Sequence, residues 1–581
     1  MSSSRLQTFF LGFIIILTGI TLRLAYWQIV KGDELRIEAR EQYLSSQILA
    51  PKRGEILSSD GFPLVYNRPI YNLTAYTPHL ELSPVEVADQ LLPLLEFDLD
   101  YPEYATDPGK KDDRRRELLG IERGNIIDRL TSRSHAVLAR GLSITQKSLV
   151  SSLGILGTSF EEGYTRSYPE ASMSAQLLGF VGRNDLGEPT GYFGLEGYYD
   201  RELRGKQGLI KEEVDAGGNP IIIGDYRALA QEEGRTLTMH MERSVQYQVE
   251  QALLDALVRY GAASGEVIVM DPNTGGILAL ASFPNYDPGS FYKFDTRLYK
   301  NPSVASAFEP GSTFKVLTMA AAFEEDALNE DDHCDICEGP LTIGKFTIKT
   351  WNDEYHDNSI PEDILANSDN IGMVWIVQKL GGDKFVEYLS RFGFGEPTGI
   401  DMQEESSPEL RDNWGDIDHA TASFGQGIAV TSLQLIRAVA AIANGGLLME
   451  PHIVKEVAGD KTLPIQPKVV RRVISEETAS TVTKLMIASA EHGDAKWTRL
   501  PNYQVAGKTG TAQIPVNGKY DQDKTIASFV GFAPAQNPRF IMLVKLTEPQ
   551  SSPWGSETAA PLWFSIARDL LLHYNIPPDA L

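Results

Sequence analysis

One long apolar run near the N-terminus constrains everything that follows it. After Arg5 the chain reads Phe9-Phe10-Leu11-Gly12-Phe13-Ile14-Ile15-Ile16-Leu17, continues through Leu22, and closes on Leu24, Ala25, Tyr26, Trp27 and Val30. As a helix, residues 9–30 would be about 33 Å long, enough to cross the hydrocarbon core of a bilayer. Arg23 falls near the far end, where a long side chain can lift its charge to the headgroups, and Tyr26 and Trp27 suit that interface. A cleaved signal peptide is the rival reading, but bulky residues stand where a small-x-small cleavage site is needed. Arg5 favours a cytoplasmic N-terminus, although Lys31 and Arg36 act against that charge asymmetry. No later apolar run is long enough to span. The expected order is a cytoplasmic tail (1–8), a single-pass anchor in the plasma membrane (9–30), and everything after it outside.

At 581 residues the chain exceeds one ordinary core, so at least two folded domains are expected. A formal charge of −25 argues against nucleic acid as the main partner, because phosphate would be repelled. The two cysteines, Cys334 and Cys337, stand as Cys-x-x-Cys. A placement outside the membrane favours a local disulfide or two free thiols; His333 and His356 could complete a zinc site, but no metal or other cofactor is expected.

Residues 31–235 mix short strand-like runs, Gly-rich turns (191–208 and Gly217-Gly218) and charged stretches, consistent with a β-containing module of irregular outline. The polar segment Asp98–Arg123, with Asp112-Asp113-Arg114-Arg115-Arg116, reads as a solvated helix or loop. From residue 236 the texture changes. Thr236-Leu237-Thr238-Met239 reads as a strand, and Ser244–Tyr260 as a helix with Val245, Val249, Leu253 and Leu257 on one stripe. Gly265–Met270 and Ile277–Ala281, joined by Asp271-Pro272-Asn273-Thr274-Gly275-Gly276, form a strand–turn–strand pattern. Ser528–Ala533 and Phe540–Leu546 form another pair, and Pro561 opens a helix to about Tyr574. Strands at both ends with a helical middle predict an α/β (α+β) domain over 236–581, its sheet assembled from distant segments.

Three short motifs carry chemistry. Ser312-Thr313-Phe314-Lys315 follows Glu309-Pro310-Gly311 and precedes the apolar run Val316–Phe323, so Ser312 falls in a first helical turn with Lys315 on the same face. A serine hydroxyl becomes a good nucleophile when a neutral lysine can take its proton, and burial or a second cation favours neutral lysine. Ser368-Asp369-Asn370 puts a hydroxyl and an amide two residues apart, able to relay a proton and hold a peptide amide, although alone it would pass for a helix cap. Lys508-Thr509-Gly510-Thr511 opens a strand-like run; its edge could pair with an extended peptide while Lys508 meets a carboxylate. Each motif alone is common by chance; the ordered set is not. There is no GxSxG elbow, and none of the nine histidines stands in a triad context.

In this order the motifs resemble the S-x-x-K, S-D-N and K-T-G set of the serine penicillin-binding and β-lactamase superfamily. Arg53-Gly54-Glu55-Ile56 with Asp60-Gly61 is similar to the opening of class B penicillin-binding proteins, with Ser58-Ser59 where that pattern has Asp-Arg. Gly194-Leu195-Glu196, Tyr199-Asp200 and Leu203-Arg204-Gly205 match a second signature, of the pedestal (dimerisation-like) domain, here 31–235. Asp271–Gly275 and Gly425-Gln426-Gly427 resemble landmarks of the transpeptidase domain. Ala527–Pro534, Asn537-Pro538-Arg539 and Ala559-Ala560-Pro561 look most like the division-specific branch.

The resemblance implies a D,D-transpeptidase of the bacterial plasma membrane that cross-links peptidoglycan stem peptides through an acylated Ser312 and is inhibited by β-lactams. Carried over, Lys315 is the base, Ser368 the relay to the leaving D-alanine, Asn370 the holder of the donor amide, and Lys508, Thr509 and Thr511 the carboxylate site. Gly510 permits close approach, and the backbone N–H groups of Ser312 and Thr511 form the oxyanion hole. Gly425 and Gln426 are candidates for the cleft wall, as are Trp351 and His356. Implied partners are an FtsW-type lipid-II polymerase and other division proteins. The alternatives are an elongation-specific transpeptidase, a D,D-carboxypeptidase or β-lactamase that transfers to water, and a β-lactam sensor or scaffold.

Overall fold

Val267, Ile268, Val269 and Met270 show no polar alternation because the strand that carries them is covered on both faces. In the computed structural model, which describes residues 3–36, 44–97, 108–214, 221, 226–516 and 519–579, this strand, Ser264–Met270, lies inside a five-stranded antiparallel sheet. The order across the sheet is Ile277–Phe283, Ser264–Met270, Phe540–Thr547, Lys519–Ala533 and Ala506–Val516. Ser264 pairs with Thr547, so the two ends of the domain meet in its centre.

Alternate side chains point to opposite faces of a strand. Val267, Val269, Phe529 and Val544 therefore join one layer with the helices Arg243–Tyr260 and Ala559–His573. Ile268, Val530, Ile541 and Leu543 turn the other way, onto a helical layer containing Lys315–Glu324, Asn370–Leu380, Ser432–Ala443 and Glu476–His492. Of the predicted stripe, Val245, Val249 and Leu253 are fully buried and Leu257 half-buried, and the helix stops where Gly261 turns left-handed (φ 63°). The predicted turn at 271–276 closes through an Asp271 carboxylate accepting from the Asn273 N–H (2.9 Å). This sheet sandwiched by helices is the α/β arrangement the sequence implies.

A second sheet runs Thr462–Pro464, Val454–Ala458, Thr236–Met239, Ile56–Leu57, Pro63–Tyr76 and His135–Leu142, with Thr158–Ser167 also on Pro63–Tyr76. Thr236–Met239 thus pairs with segments on both sides of residue 235. Behind it, Leu73, Val87, Leu91, Ile126, Leu130 and Leu138 form a separate core. The polar segment becomes the helix Pro108–Ser132, solvated over its charged first half and anchored by Ile126 and Leu130; residues 98–107 lie outside the described residues. The Gly-Leu-Glu signature earns its sequence here: Glu196, fully buried, pairs with Arg166 (2.8 Å), which also donates to Asn67 Oδ1 and the Gly54 carbonyl. At the Arg53-to-Gly61 signature, Ser58 Oγ donates to Asp60 (2.5 Å) within the turn.

Residues 1–53 and 204–234 form a distinct unit. It holds the helix Ser3–Ala25, continued by a wider turn Tyr26–Val30, and a three-stranded antiparallel sheet of Leu44–Leu49, Gly208–Glu213 and Tyr226–Leu229. The Ser4–Val30 stretch is long and apolar enough to cross a membrane, about 40 Å at 1.5 Å per residue. The predicted turn at Gly217-Gly218 lies outside the described residues.

Cys334 and Cys337 form a disulfide, both sulfurs buried, which decides among the readings left open by spacing. His333 Nδ1 instead meets the Asn358 carbonyl (2.8 Å), and no group of three or more metal-ligating side chains occurs among the described residues.

Candidate active site

The turn that carries Ser312 is built by two glycines. Gly311 (φ 58°) donates its N–H to the Gly425 carbonyl (3.0 Å), and a Cβ on Gly425 (φ 79°) would sit 2.2 Å from the Gly311 carbonyl oxygen. A 3-10 turn, Gly311–Phe314, then feeds the helix Lys315–Glu324. Thr313 Oγ1 donates to the Pro310 carbonyl (2.8 Å) and Thr318 Oγ1 to the Ser423 carbonyl (2.9 Å), fixing the turn from below. Ser312 itself is half-buried and opens into a cleft.

Lys315 is fully buried. Its Nζ donates to the Ser368 carbonyl (2.5 Å) and Asn370 Oδ1 (2.9 Å) and meets Ser368 Oγ at 3.2 Å. Burial, and then the charge of Lys508, hold this amine well below the usual lysine range, while Asp369 and Asp494 pull it up. A neutral amine keeps two N–H bonds for the two carbonyl-type oxygens and turns its lone pair to a hydroxyl, the state a base requires. Ser368 is brought there by a left-handed backbone (φ 54°) between the helices Pro361–Ala366 and Asn370–Leu380. Asp369 caps the second helix by accepting from the Ile371 N–H (2.7 Å), and Asn370 Nδ2 donates to the Lys349 carbonyl (2.9 Å), so its amide is held at both ends.

Lys508, Thr509, Gly510 and Thr511 lie on Ala506–Val516, the edge strand of the five-stranded sheet. An edge strand turns every second pair of N–H and C=O groups away from its sheet, here available to an extended chain. A Cβ on Gly510 would reach Thr313 Cγ2 at 2.8 Å and the Pro310 carbonyl at 3.2 Å, so this strand sits directly against the Ser312 turn. Lys508 is buried, with Nζ 3.1 Å from Thr509 Oγ1, and burial pushes it down to about 8, with Asp494 opposing. Thr511 Oγ1 accepts from the Gly555 N–H (3.0 Å).

The cleft, about 600 Å³, is walled by Ser312, Ser368, Asn370, Gln426, Thr509 and Thr511 together with Trp351, Trp554, Asp494 and Glu557. The three motifs therefore share one groove, with the Lys315 amine and the Lys508 ammonium beneath it. Gln426 lines the wall; Gly425 does not, because it is spent on closing the Gly311 turn behind it. Trp351 lines the wall and meets Trp554 edge-on (4.9 Å), whereas His356 is not part of it. Sequence reasoning missed Trp554, Asp494 and Glu557. They follow the helix Glu476–His492 or the strand Phe540–Thr547 with no motif around them, and only the fold brings them here.

Residues 265–571 match the family model of the penicillin-binding protein transpeptidase domain, and residues 48–239 that of the penicillin-binding protein dimerisation domain. Stage V sporulation protein D of Bacillus subtilis is 31% identical over 97% of this chain and 85% of its own. The peptidoglycan D,D-transpeptidase FtsI homolog of Mesostigma viride is 28% identical over 98% and 96%. Penicillin Binding Protein 2X from Streptococcus thermophilus superposes with a TM-score of 0.73 at 25% identity, covering 91% of this chain and 80% of its own. A transpeptidase domain behind a dimerisation domain, with FtsI-like relatives along almost its whole length, makes this chain a class B penicillin-binding protein, a serine-type peptidoglycan D,D-transpeptidase.

Proposed function

We propose that this transpeptidase works at the division septum, with Ser312 as the residue acylated by the donor stem peptide. The observation that carries the site assignment is the buried Lys315 amine, held between Ser368 and Asn370 beneath the cleft into which Ser312 opens. Lys315 takes the Ser312 proton, and Ser312 attacks the carbonyl of the penultimate D-alanine. The tetrahedral oxyanion is met by the N–H groups of Ser312 and Thr511. Ser368 returns a proton to the departing D-alanine, Asn370 holds the donor amide, and Lys508, Thr509 and Thr511 hold its carboxylate. An acceptor amine then releases the acyl group. β-Lactams enter as mimics of the donor terminus.

The septal role is supported by Ala527–Pro534, Asn537-Pro538-Arg539 and Ala559–Pro561, and by the FtsI homolog among the relatives. Residues 9–30 are the single anchor with residues 1–8 cytoplasmic, 31–235 the pedestal and 236–581 the catalytic domain; an FtsW-type polymerase and division proteins are the partners. The sporulation protein among the relatives favours a second reading, a role confined to spore formation. Mass spectrometry after labelled-penicillin treatment tests the nucleophile: the label belongs on Ser312. Fluorescence of the tagged full chain tests the role: midcell rings in growing cells support it, and sidewall signal or expression only in sporulating cells overturns it.

A further inference from the structure

Two events at the acyl-enzyme share one place. The leaving D-alanine departs as an amine beside Ser368, and the acceptor must approach the same acyl carbon from that side. An alkyl amine arrives from neutral water as an ammonium ion. A transpeptidase cleft therefore gains from a carboxylate on its Ser368 side, provided that carboxylate is not already neutralised.

Asp494 meets these conditions. It lines the same cleft as Ser312, Ser368 and Thr509. Its backbone is fixed against the Ser368 segment: a Cβ on the preceding Gly493 would lie 2.9 Å from the Ala366 carbonyl, two residues before Ser368. The carboxylate is exposed to the cleft and forms no side-chain hydrogen bond or ion pair among the described residues. Its charge is felt by both Lys315 and Lys508, the two lysines beneath the groove. Of the other charged groups on the wall, Lys349 is paired with Asp353 (3.1 Å), and Glu557 follows Gly555, on which a Cβ would lie 2.3 Å from the carbonyl oxygen of Gly510 in the edge strand.

We propose that Asp494 is the docking carboxylate for the ammonium group of the incoming acceptor, holding it on the Ser368 side of the acyl-enzyme. This rests on the assignment of Ser312 as the acylated residue. Asp494 makes no covalent contact. The ammonium first gives its extra proton to water; attack then forms the C–N bond and breaks the C–O bond to Ser312, and one of the two remaining amine protons passes to Ser312 Oγ while the other stays on the amide nitrogen.

The test is the partition of one acyl-enzyme. Detergent-solubilised full-length chain is given a thioester donor with D-alanine, an acceptor that arrives with an ammonium group, or methanol, one without. For Asp494→Asn and Asp494→Ser, the aminolysis-to-hydrolysis ratio at subsaturating D-alanine falls about fivefold, the size of one exposed charge contact, and recovers at high D-alanine. The methanolysis-to-hydrolysis ratio stays unchanged, and Asp494→Glu keeps most of the preference for D-alanine. An unchanged D-alanine ratio, or an equal fall with methanol, overturns the proposal. Penicillin labelling of the same samples keeps the two assignments apart. Absence of label on Ser312 in the unaltered chain defeats the nucleophile assignment, whereas labelled Ser312 with an unaltered partition defeats the role of Asp494 alone.

Discussion

Lys315 Nζ lies 2.9 Å from Asn370 Oδ1, and this contact joins the first residue of one helix to the first residue of another. Burial and the charge of Lys508 oppose protonation of this amine. Arginine keeps its proton under these conditions. Lys315→Arg is expected to slow acylation of Ser312 by labelled penicillin about 10²–10⁴-fold, the worth of a general base, with the fold retained by circular dichroism.

Lys508 gives the reaction an upper pH limit. Burial lowers its pKa to about 8, so the ammonium proposed to meet the donor carboxylate is present below that pH and lost above it. The kcat/KM for a carboxylate-bearing thioester donor should fall as pH rises through about 8. Lys508→Arg, which stays charged, should move that fall to higher pH while lowering the rate, and a pH series on both chains reads this directly.

The Arg166–Glu196 pair is almost wholly buried, so removing one partner leaves an unmatched charge in the core. Glu196→Ala is expected to lower stability by about 3–5 kcal/mol. The urea midpoint of the soluble portion should drop accordingly, while a change at the exposed Arg297–Asp295 pair should be nearly silent.

His240 predicts a loss of stability in acid. Burial, then His452 and Lys455, lower its pKa from 6.5 to about 4, with Asp271 opposing. Between those values the unfolded chain binds a proton that the folded chain does not, so stability rises with pH there and falls as pH drops from 6.5 toward 4. His240→Phe should flatten that part of the melting-temperature profile.

The strand pair around the Asx turn at Asp271 and the helix striped from Val245 to Leu253 were legible because each carries its own local cause, whereas the helices Ser432–Ala443 and Glu476–His492 were not read from the sequence. The motif residues were legible because their chemistry is written in short words. What escaped was whatever depends on juxtaposition alone. Asp494, Trp554 and Glu557 have no neighbours in sequence that hint at a cleft. Gly425 read as a wall residue, since nothing local says that its missing side chain makes room for Gly311. The pairing of Thr236–Met239 with both Ile56–Leu57 and Val454–Ala458 is equally silent, because two short strands carry no address for distant partners.

The pairing of Ser264 with Thr547 sets a schedule for biogenesis. The strands at the front of the domain leave the ribosome long before Phe540–Thr547, the strand that must lie between them and the strand Lys519–Ala533, has been made. Until then Val267–Met270 has an open, apolar, hydrogen-bond-hungry flank, a state prone to aggregation. Nascent chains stalled before residue 540 should therefore need a holding chaperone, and protease resistance of this half should appear only once nearly the whole polypeptide has emerged.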